Sequence, residues 1–324
     1  MNQFIPYQQA IEKIDRLQAE KEDFIFVLNF NKTFGFCEKI VDLDTDLINY
    51  EINQKIKYSI AAKSFTFKYK PIPYSVYLEH FNQVKNQISL GNTYLANLTF
   101  KTEIETNLNL LEIFKLSKAK YKLWIKDQFV VFSPECFIQI NEGKISTFPM
   151  KGTHKLQEGK KPEILLENPK ENAEHLTIVD LLRNDLSIVA TNVKVNNFKY
   201  LDQLNTNNGI IVQMSSEISG NLKEKYLKKY GTLLDLILPA GSVSGAPKAR
   251  TLEIIHEAED YEREYYTGVF GIFSNGKLDS GIMIRFIEEK NDQLFFKSGG
   301  GITYNSDPQL EYQEYMNKIY VPIF

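Results

Sequence analysis

The sequence predicts an α+β protein, in which antiparallel strands occur in groups and do not alternate one by one with helices. Short strand-like stretches follow each other at 121–150 and again at 262–302. Each region contains a hairpin turn, "NEGK" at 141–144 in the first and Asn275-Gly276 in the second. Helical spacing of apolar residues is confined to a few separate segments, so a parallel sheet built of βαβ units is not expected.

In chain order, the first expected element is a helix within residues 1–24, and the buried strand "DFIFVLNF" follows it. Apolar residues spaced by three and four from Tyr77 to Leu90 predict a second helix, which Gly91 and Asn92 end. Helical spacing returns at 171–190 and at about 307–319. The remaining expected strands are "TYLANLTF", "YKLWIK", "QFVVFS", "CFIQI" and "ISTF".

Composition limits the classes of function. The 324 residues are 43% apolar and 24% charged, with a formal net charge of −3, which gives no basic excess for a nucleic-acid partner. Two cysteines, Cys37 and Cys136, cannot form a disulfide framework or a multi-cysteine metal site. The N-terminus has no signal-peptide pattern, and no apolar run reaches the length of a membrane span. We therefore expect a soluble, cytoplasmic protein that binds neither nucleic acid nor a membrane.

Acidic residues recur at helical spacing in two predicted helices. Glu171, Glu174 and His175 can share one face of the helix at 171–190, and Glu311 and Glu314 can share a face of the last helix. Acids in a first helical turn are also favoured by the helix dipole, and a solvated face explains the second set equally well. Two carboxylates from different helices could instead hold Mg²⁺. The few histidines and cysteines do not predict zinc.

Two glycine-containing loops and one lysine are further candidates. The stretch "GSVSGAPKARTLEII" leads into a helix with Pro247 placed for its first position, but Lys248 does not fit a Walker A loop. "FKSGGGI" at 296–302 would let a ligand approach the backbone, although a bulge explains it nearly as well. In "STFPMKGTHK", Lys151 is either an exposed charge beside a turn glycine or a residue held in a pocket.

Five stretches taken together resemble the chorismate-utilising enzymes. They are "FSPECF", "FPMKGT", "ENAEHLTIVDLLRND", "GSVSGAPKARTLEII" and "SGGGITYNSDPQLEYQE". The resemblance covers residues 71–324, the expected catalytic domain, and residues 1–70 resemble a shortened N-terminal part integrated with it. It implies an α+β fold of antiparallel sheets packed on each other and flanked by helices, with chorismate and Mg²⁺ in a cleft.

The resemblance also implies roles for individual residues. Glu174 and Glu314 match the Mg²⁺ ligands, with Glu311 close by, and Glu135 matches the general acid. Lys151 in "PMKGT" resembles the nucleophilic lysine of aminodeoxychorismate synthases, where anthranilate synthases usually have a small residue. The matching substrate contacts are Gly152, Thr153, Ser242, Tyr266, Arg285, Gly299, Gly300 and Lys318.

This resemblance implies conversion of chorismate and ammonia to 4-amino-4-deoxychorismate, for 4-aminobenzoate and folate synthesis. Anthranilate synthase component I is the alternative, and a catalytically silent protein of the same fold is a third. Neither cysteine resembles a glutaminase nucleophile, so a separate glutamine amidotransferase is expected to supply ammonia and a separate aminodeoxychorismate lyase to take the product. Leu95 stands where isochorismate synthases have a lysine and the amidating enzymes usually have glutamine, and Gln213 stands where many members have histidine.

Overall fold

The computed structural model describes residues 4–54, 56, 58, 65–155, 169–206 and 209–323, with the backbone alone for 151–155, 169–170, 202–206 and 209–212. The helices within these ranges are α1 (Tyr7–Glu20), α2 (Tyr74–Ser89), α3 (Leu110–Leu116), α4 (Pro169–Val189), α5 (Tyr230–Ile237), α6 (Lys248–Ala258) and α7 (Pro308–Asn317). The strands are β1 (Ile5–Pro6), β2 (Phe24–Leu28), β3 (Phe34–Lys39), β4 (Ile48–Ile52), β5 (Phe67–Lys70), β6 (Leu95–Thr106), β7 (Tyr121–Ile125), β8 (Phe129–Ser133), β9 (Cys136–Asn141), β10 (Lys144–Thr147), β11 (Met150–Lys155), β12 (Ala190–Thr206), β13 (Gly209–Leu222), β14 (Gly245–Ala246), β15 (Val269–Ser274), β16 (Lys277–Ile282), β17 (Phe286–Lys290) and β18 (Gln293–Thr303).

The described strands form two antiparallel sheets. The larger sheet has the order β1-β3-β2-β15-β16-β9-β10-β13-β11, with β12 also paired to β13. The smaller sheet has the order β14-β6-β18-β17-β8-β7-β4, with β5 also paired to β6. The predicted α+β class with antiparallel sheets is therefore confirmed.

The two sheets pack face to face, and helices cover their outer faces. Strand β2 shows why, because successive side chains of a strand point to opposite sides. Ile25 and Val27 lie in the core between the sheets, together with Leu123 and Phe286 of the smaller sheet. Phe26 points the other way, into the core beneath α1, α4 and α5. Helices α2, α3, α6 and α7 cover the smaller sheet in the same manner. None of the described helices is long and apolar enough to cross a membrane.

Both predicted hairpin turns are present. Asn275 and Gly276 connect β15 to β16 with φ of 52° and 77°, and Glu142 and Gly143 connect β9 to β10 with φ of 50° and 75°. A pair of left-handed residues gives the turn the twist that two-residue hairpins need. The helix expected within 1–24 is shorter than predicted and begins at Tyr7. Pro247 precedes α6 and does not occupy its first position.

The long hairpin of β12 and β13 was not predicted, because polar residues interrupt the apolar pattern of β12. The first fifty residues contribute to both sheets, with β1 to β3 in the larger and β4 in the smaller. The division of the chain at residue 70 remains a prediction.

A buried ion pair between Arg263 and Glu259 connects strand β6 with the loop at 241–244. Both side chains are 2% exposed, and Arg263 Nε and Nη2 lie 2.8 and 2.6 Å from the two carboxylate oxygens of Glu259. Arg263 also donates to the carbonyl of Val243 at 2.8 Å and to that of Asn97. Glu259 accepts from the backbone N–H of Thr99 at 2.8 Å. Each charge is therefore paired and hydrogen-bonded, which a buried charge requires.

We predict that Arg263→Leu lowers the free energy of unfolding by about 3–5 kcal/mol, because it leaves the buried Glu259 carboxylate without its partner. Urea denaturation of the purified variant measures the loss. Arg183→Leu is the matched control, since Arg183 pairs with Asp180 at 2.6 Å on the surface. That control should lose less than about 1 kcal/mol. Equal losses in the two variants would contradict the structural role of Arg263.

Candidate active site

A cleft of about 640 Å³ lies between strands of both sheets and the helices α4 and α7. Nine of the residues predicted to contact substrate, to act as the acid or to hold the metal line this cleft: Glu135, Glu174, Ser242, Tyr266, Arg285, Gly299, Gly300, Glu314 and Lys318. They come from segments far apart in the sequence, so the fold brings the candidates together. Their individual roles remain predictions.

Glu135 and Arg285 occupy two of the positions where the described chain crosses from one sheet to the other. Pro134 and Glu135 join β8 of the smaller sheet to β9 of the larger. Residues 283–285 join β16 of the larger sheet to β17 of the smaller. The backbone of Arg285 is left-handed, with φ of 53°, a conformation that is uncommon outside glycine. Both side chains line the cleft at the junction between the layers.

Hydrogen bonds hold both the carboxylate and the backbone of Glu135. Ser242 Oγ donates to Glu135 Oε1 at 2.9 Å. The backbone N–H of Glu135 donates to Ser133 Oγ at 3.1 Å, and its carbonyl accepts from the N–H of Ile282 at 3.1 Å. A half-buried carboxyl group with a fixed backbone and an oriented side chain can deliver a proton to one point in the cleft.

Arg285 presents a donor suited to an anion. Its Nε is buried, and no hydrogen-bond partner for this atom is found within the described part of the chain. The guanidinium lies 5.4 Å from the ring centroid of Tyr320, at cation–π distance. Burial raises the pKa of Tyr266 above its ordinary value, so the hydroxyl stays protonated and can donate. Arginine binds carboxylates strongly, so this side of the cleft suits an acidic ligand.

Charged groups also surround Gly300. A Cβ atom at this position would lie 3.6 Å from Lys318 Nζ, 3.7 Å from Glu311 Oε2 and 3.8 Å from Glu314 Oε1. Lys318 Nζ lies 2.7 Å from Glu314 Oε1 and donates to the carbonyl of Gly299 at 2.7 Å. The absence of a side chain at Gly300 therefore leaves space that all three charged groups border.

The donor set fits Mg²⁺ and does not fit a metal enclosed entirely by protein. Among the residues that the structure describes, no three His, Cys, Asp or Glu side chains are grouped closely enough to hold a metal by themselves. Mg²⁺ usually keeps several waters and takes one or two carboxylates plus ligand oxygens. Glu311 and Glu314 border the space at Gly300, and Glu174 lines the same cleft. Glu174 and Glu314, with Glu311 close by, could hold Mg²⁺ in this way.

Helix α4 presents only part of its first acidic cluster to the cleft. Glu171 and Glu174 line it, and so do Thr177 and Ile178. His175 is fully buried instead, with Nε2 at 2.6 Å from Ser216 Oγ. Burial lowers the pKa of His175 to about 4, so this imidazole is neutral at physiological pH. The helical spacing predicted that Glu171, Glu174 and His175 share one face of the helix. The structure differs, because His175 is buried and does not line the cleft with the other two.

The strand that carries Lys151 runs along the cleft. In β11 the backbone of Lys151 pairs with Met214 and that of Thr153 with Gln213, and the register shifts between them, at Gly152. Met150 and Gln213, which flank this segment, line the cleft, and Gln213 Nε2 lies 2.7 Å from Met150 Sδ. The side chains of Lys151 and Thr153 lie outside the described part of the chain. The roles of Lys151, Gly152 and Thr153 are therefore still predictions.

Several cleft residues escaped the sequence analysis. Asn97 lies two residues after Leu95 in the strand "TYLANLTF", and both residues line the cleft because β6 borders it. Tyr320 follows the last helix in a stretch with no motif, and its position beside Arg285 depends on how the chain returns after α7. Alternation along β6 could have identified Asn97, but no local signal identifies Tyr320.

A family model described as chorismate binding enzyme matches residues 44–323. The chain belongs to this family. It is 43% identical over 318 residues to an uncharacterized PabA-like protein of Haemophilus influenzae, covering 98% of this chain and 97% of that protein. It is 31% identical over 255 residues to aminodeoxychorismate synthase component 1 of Bacillus subtilis, covering 74% of this chain and 53% of that one.

A solved structure supports the same family. The crystal structure of anthranilate synthase component I from Streptococcus pneumoniae matches with a TM-score of 0.67 and 28% identity, covering 79% of this chain and 59% of that one. The chain thus spans little more than half the length of these two synthase components. The predicted relationship to chorismate-utilising enzymes is confirmed, and it extends to the fold.

We predict that Gly300→Ala in this chorismate-binding enzyme weakens binding of chorismate in the presence of Mg²⁺ by about tenfold or more. The added methyl fills the space between Lys318, Glu311 and Glu314, and overpacking of this kind costs about 1–3 kcal/mol. Isothermal titration calorimetry measures the dissociation constant. The thermal midpoint should stay close to that of the unmodified protein, because the nearest atoms are 3.6 Å away.

Gly299→Ala is the contrasting variant. Its Cβ would lie 2.2 Å from the carbonyl oxygen of Leu98, so it should lower the thermal midpoint. Unchanged binding by Gly300→Ala would show that ligands do not occupy this space.

Proposed function

We propose that this protein is component I of an aminodeoxychorismate synthase, which converts chorismate and ammonia to 4-amino-4-deoxychorismate. The observation that carries the proposal is the backbone position of Lys151 in β11. It follows Met150 and pairs with Met214 of β13, next to Gln213, and both Met150 and Gln213 line the same cleft as Glu135. A lysine nucleophile and a carboxylic acid acting together suit a displacement in which one attacks and the other protonates the leaving group.

The charges of the cleft support a dicarboxylate substrate. The chain as a whole carries a net charge of −3, so any attraction for an anion must be local. Arg285 and Lys318 both line the cleft and supply positive charge, and Arg285 Nε is a buried donor suited to a carboxylate oxygen. When bound at Glu174 and Glu314, Mg²⁺ would neutralise a ring carboxylate of chorismate.

The proposed reaction has two displacements. The neutral amine of Lys151 attacks C2 of chorismate, both conjugated ring double bonds shift by one position, and the C4 hydroxyl leaves as water with a proton from Glu135. Ammonia then attacks C4, and the returning electron pair expels the lysine from C2. Ser242 holds Glu135 throughout by its hydrogen bond to Oε1. The covalent intermediate divides one difficult substitution into two easier ones.

A separate glutamine amidotransferase is the proposed source of ammonia. Glutaminases of the cysteine type need a reactive thiolate. Cys37 is 2% exposed, and burial raises the pKa of its thiol to about 12. Burial also raises the pKa of Cys136 well above its ordinary range. Neither cysteine of this chain is therefore suited to release ammonia from glutamine.

Product analysis tests the proposal directly. The protein is incubated with chorismate, Mg²⁺ and ammonium, and the products are separated and identified by mass spectrometry. We expect 4-amino-4-deoxychorismate, and we expect its formation to stop when EDTA removes the metal. Anthranilate with pyruvate would assign the protein to the alternative synthase. Unconsumed chorismate would refute the proposed enzyme activity.

We predict that Glu135→Gln lowers kcat by about 10²–10⁴-fold, because glutamine keeps the size of the side chain but cannot donate a proton as an acid. Single-turnover measurements with excess ammonium determine the rate of the chemical step. Glu142→Gln, in the exposed turn after β9, is the control and should retain the full rate. A loss well below tenfold would remove Glu135 from the role of general acid.

We predict that Lys151 forms a covalent adduct with chorismate when ammonia is withheld. Intact-protein mass spectrometry after incubation with chorismate and Mg²⁺ should show added mass, which peptide mapping places on Lys151. Lys151→Ala should lack the adduct, and Lys151→Arg should not restore it, because a guanidinium stays protonated. Lys144→Ala, at an exposed position in β10, should keep it. Full synthesis of 4-amino-4-deoxychorismate by Lys151→Ala would exclude the covalent route.

A further inference from the structure

The loop that carries Ser242 is held firmly at its downstream end. It consists of residues 241–244, between α5 and β14. The carbonyl of Val243 accepts from Arg263 Nη1 at 2.8 Å and from Asn97 Nδ2 at 3.1 Å. The carbonyl of Ser244 accepts from the backbone N–H of Asn97 at 2.9 Å. These bonds fix Val243 and Ser244 against β6 and Arg263, but none of them involves Gly241 at the upstream end of the loop.

Asp185 of α4 holds the upstream end. Its Oδ2 accepts from the backbone N–H of Gly241 at 2.9 Å, and its Oδ1 accepts from Lys248 Nζ at 2.8 Å. Lys248 Nζ donates in addition to the carbonyl of Ile237 at 2.8 Å. Asp185 is 7% exposed, so its carboxylate is taken out of water and kept there by these two donors. It thereby joins α4 to the residue immediately before Ser242.

We propose that Asp185 is a positioning residue for the reaction, which holds the N–H of Gly241 so that Ser242 Oγ stays in place to donate to Glu135 Oε1. The proposal rests on the proposed function, in which Glu135 is the general acid. Asp185 does not line the cleft and acts through Gly241 and Ser242. It follows Glu174 by eleven residues on α4, about three helical turns, so one helix serves both the metal side and the acid side of the cleft.

A double-mutant cycle on kcat distinguishes positioning from general support of the fold. Asp185→Asn replaces one carboxylate oxygen by an NH₂ group. In one orientation of the amide this group faces the N–H of Gly241, and in the other it faces the ammonium of Lys248, so one of the two hydrogen bonds is lost in either case. Ser242→Ala removes the hydrogen bond to Glu135 and should lower kcat by about 10- to 100-fold. We expect Asp185→Asn to lower kcat by about tenfold with KM for chorismate unchanged, and to add no further loss to Ser242→Ala.

Two further variants control this cycle. Asp185→Asn combined with Lys248→Met should recover much of the lost kcat, because the amide can then accept from Gly241 without opposing an ammonium group. Asp180 lies on the exposed side of the same helix, and the Asp180→Asn variant should keep the full kcat. Chorismate consumption is the assay, so the outcome does not depend on which amination product forms.

A second measurement needs no turnover. With ¹³C-labelled glutamate, the carboxyl titration of Glu135 is followed by NMR and assigned through Glu135→Gln. Donation to the charged form of a carboxyl group favours that form, so Ser242→Ala should raise the titration midpoint and Asp185→Asn should raise it similarly. If the wild-type protein consumes no chorismate, the proposed function fails and this titration still decides the role of Asp185.

Two results would overturn the proposal. One is a double variant, Asp185→Asn with Ser242→Ala, whose fold loss of kcat equals the product of the two single losses, because that result indicates independent effects. The other is a Glu135 titration in Asp185→Asn that is the same as in the wild-type protein.

Discussion

The buried pair of Arg263 and Glu259 is the constraint on which the rest of the structure depends. It joins α6, strand β6 and the loop at 241–244 through hydrogen bonds that leave neither charge unpaired. The carbonyl of Arg263 in turn accepts from Lys297 Nζ at 3.1 Å and from the N–H of Tyr266 at 3.0 Å. Tyr266 and the loop both face the cleft, so the geometry of the cleft follows from a pair that lies outside it.

The cleft separates its charges by position. Arg285 lies beside Tyr320, the carboxylates of Glu311 and Glu314 border Gly300, and Glu135 lies at one of the crossings between the sheets. A substrate with two carboxylates and a leaving hydroxyl can meet a complementary group at each of these points. Under the proposed function, such an arrangement would let a weakly acidic protein bind an anion without a broad basic surface.

Local sequence patterns predicted the elements that local interactions determine. The turn at Asn275 and Gly276 and the helix spacing of α2, α4 and α7 were predicted closely, since glycine geometry and apolar periodicity act within a few residues. The site motifs identified Glu135, Arg285 and Gly300, and the fold brings them to one cleft. The orientation of His175, the position of Tyr320 and the contact of Asp185 with Gly241 arise between segments distant in sequence, so no local pattern could give them.

The placement of Glu135 and Arg285 at two of the crossings between the sheets has a consequence for how this protein can diverge. The distance between an acid and an anion-binding group on such crossings depends on how far apart the layers stand. Side chains such as Phe286 and Leu123 fill that space, and closely packed interiors respond to the gain or loss of a single methylene. Under the proposed function, the hydrophobic filling of the sandwich would thus help to decide which ring atom of the substrate Glu135 reaches. Regiochemistry can therefore change through residues that no substrate touches.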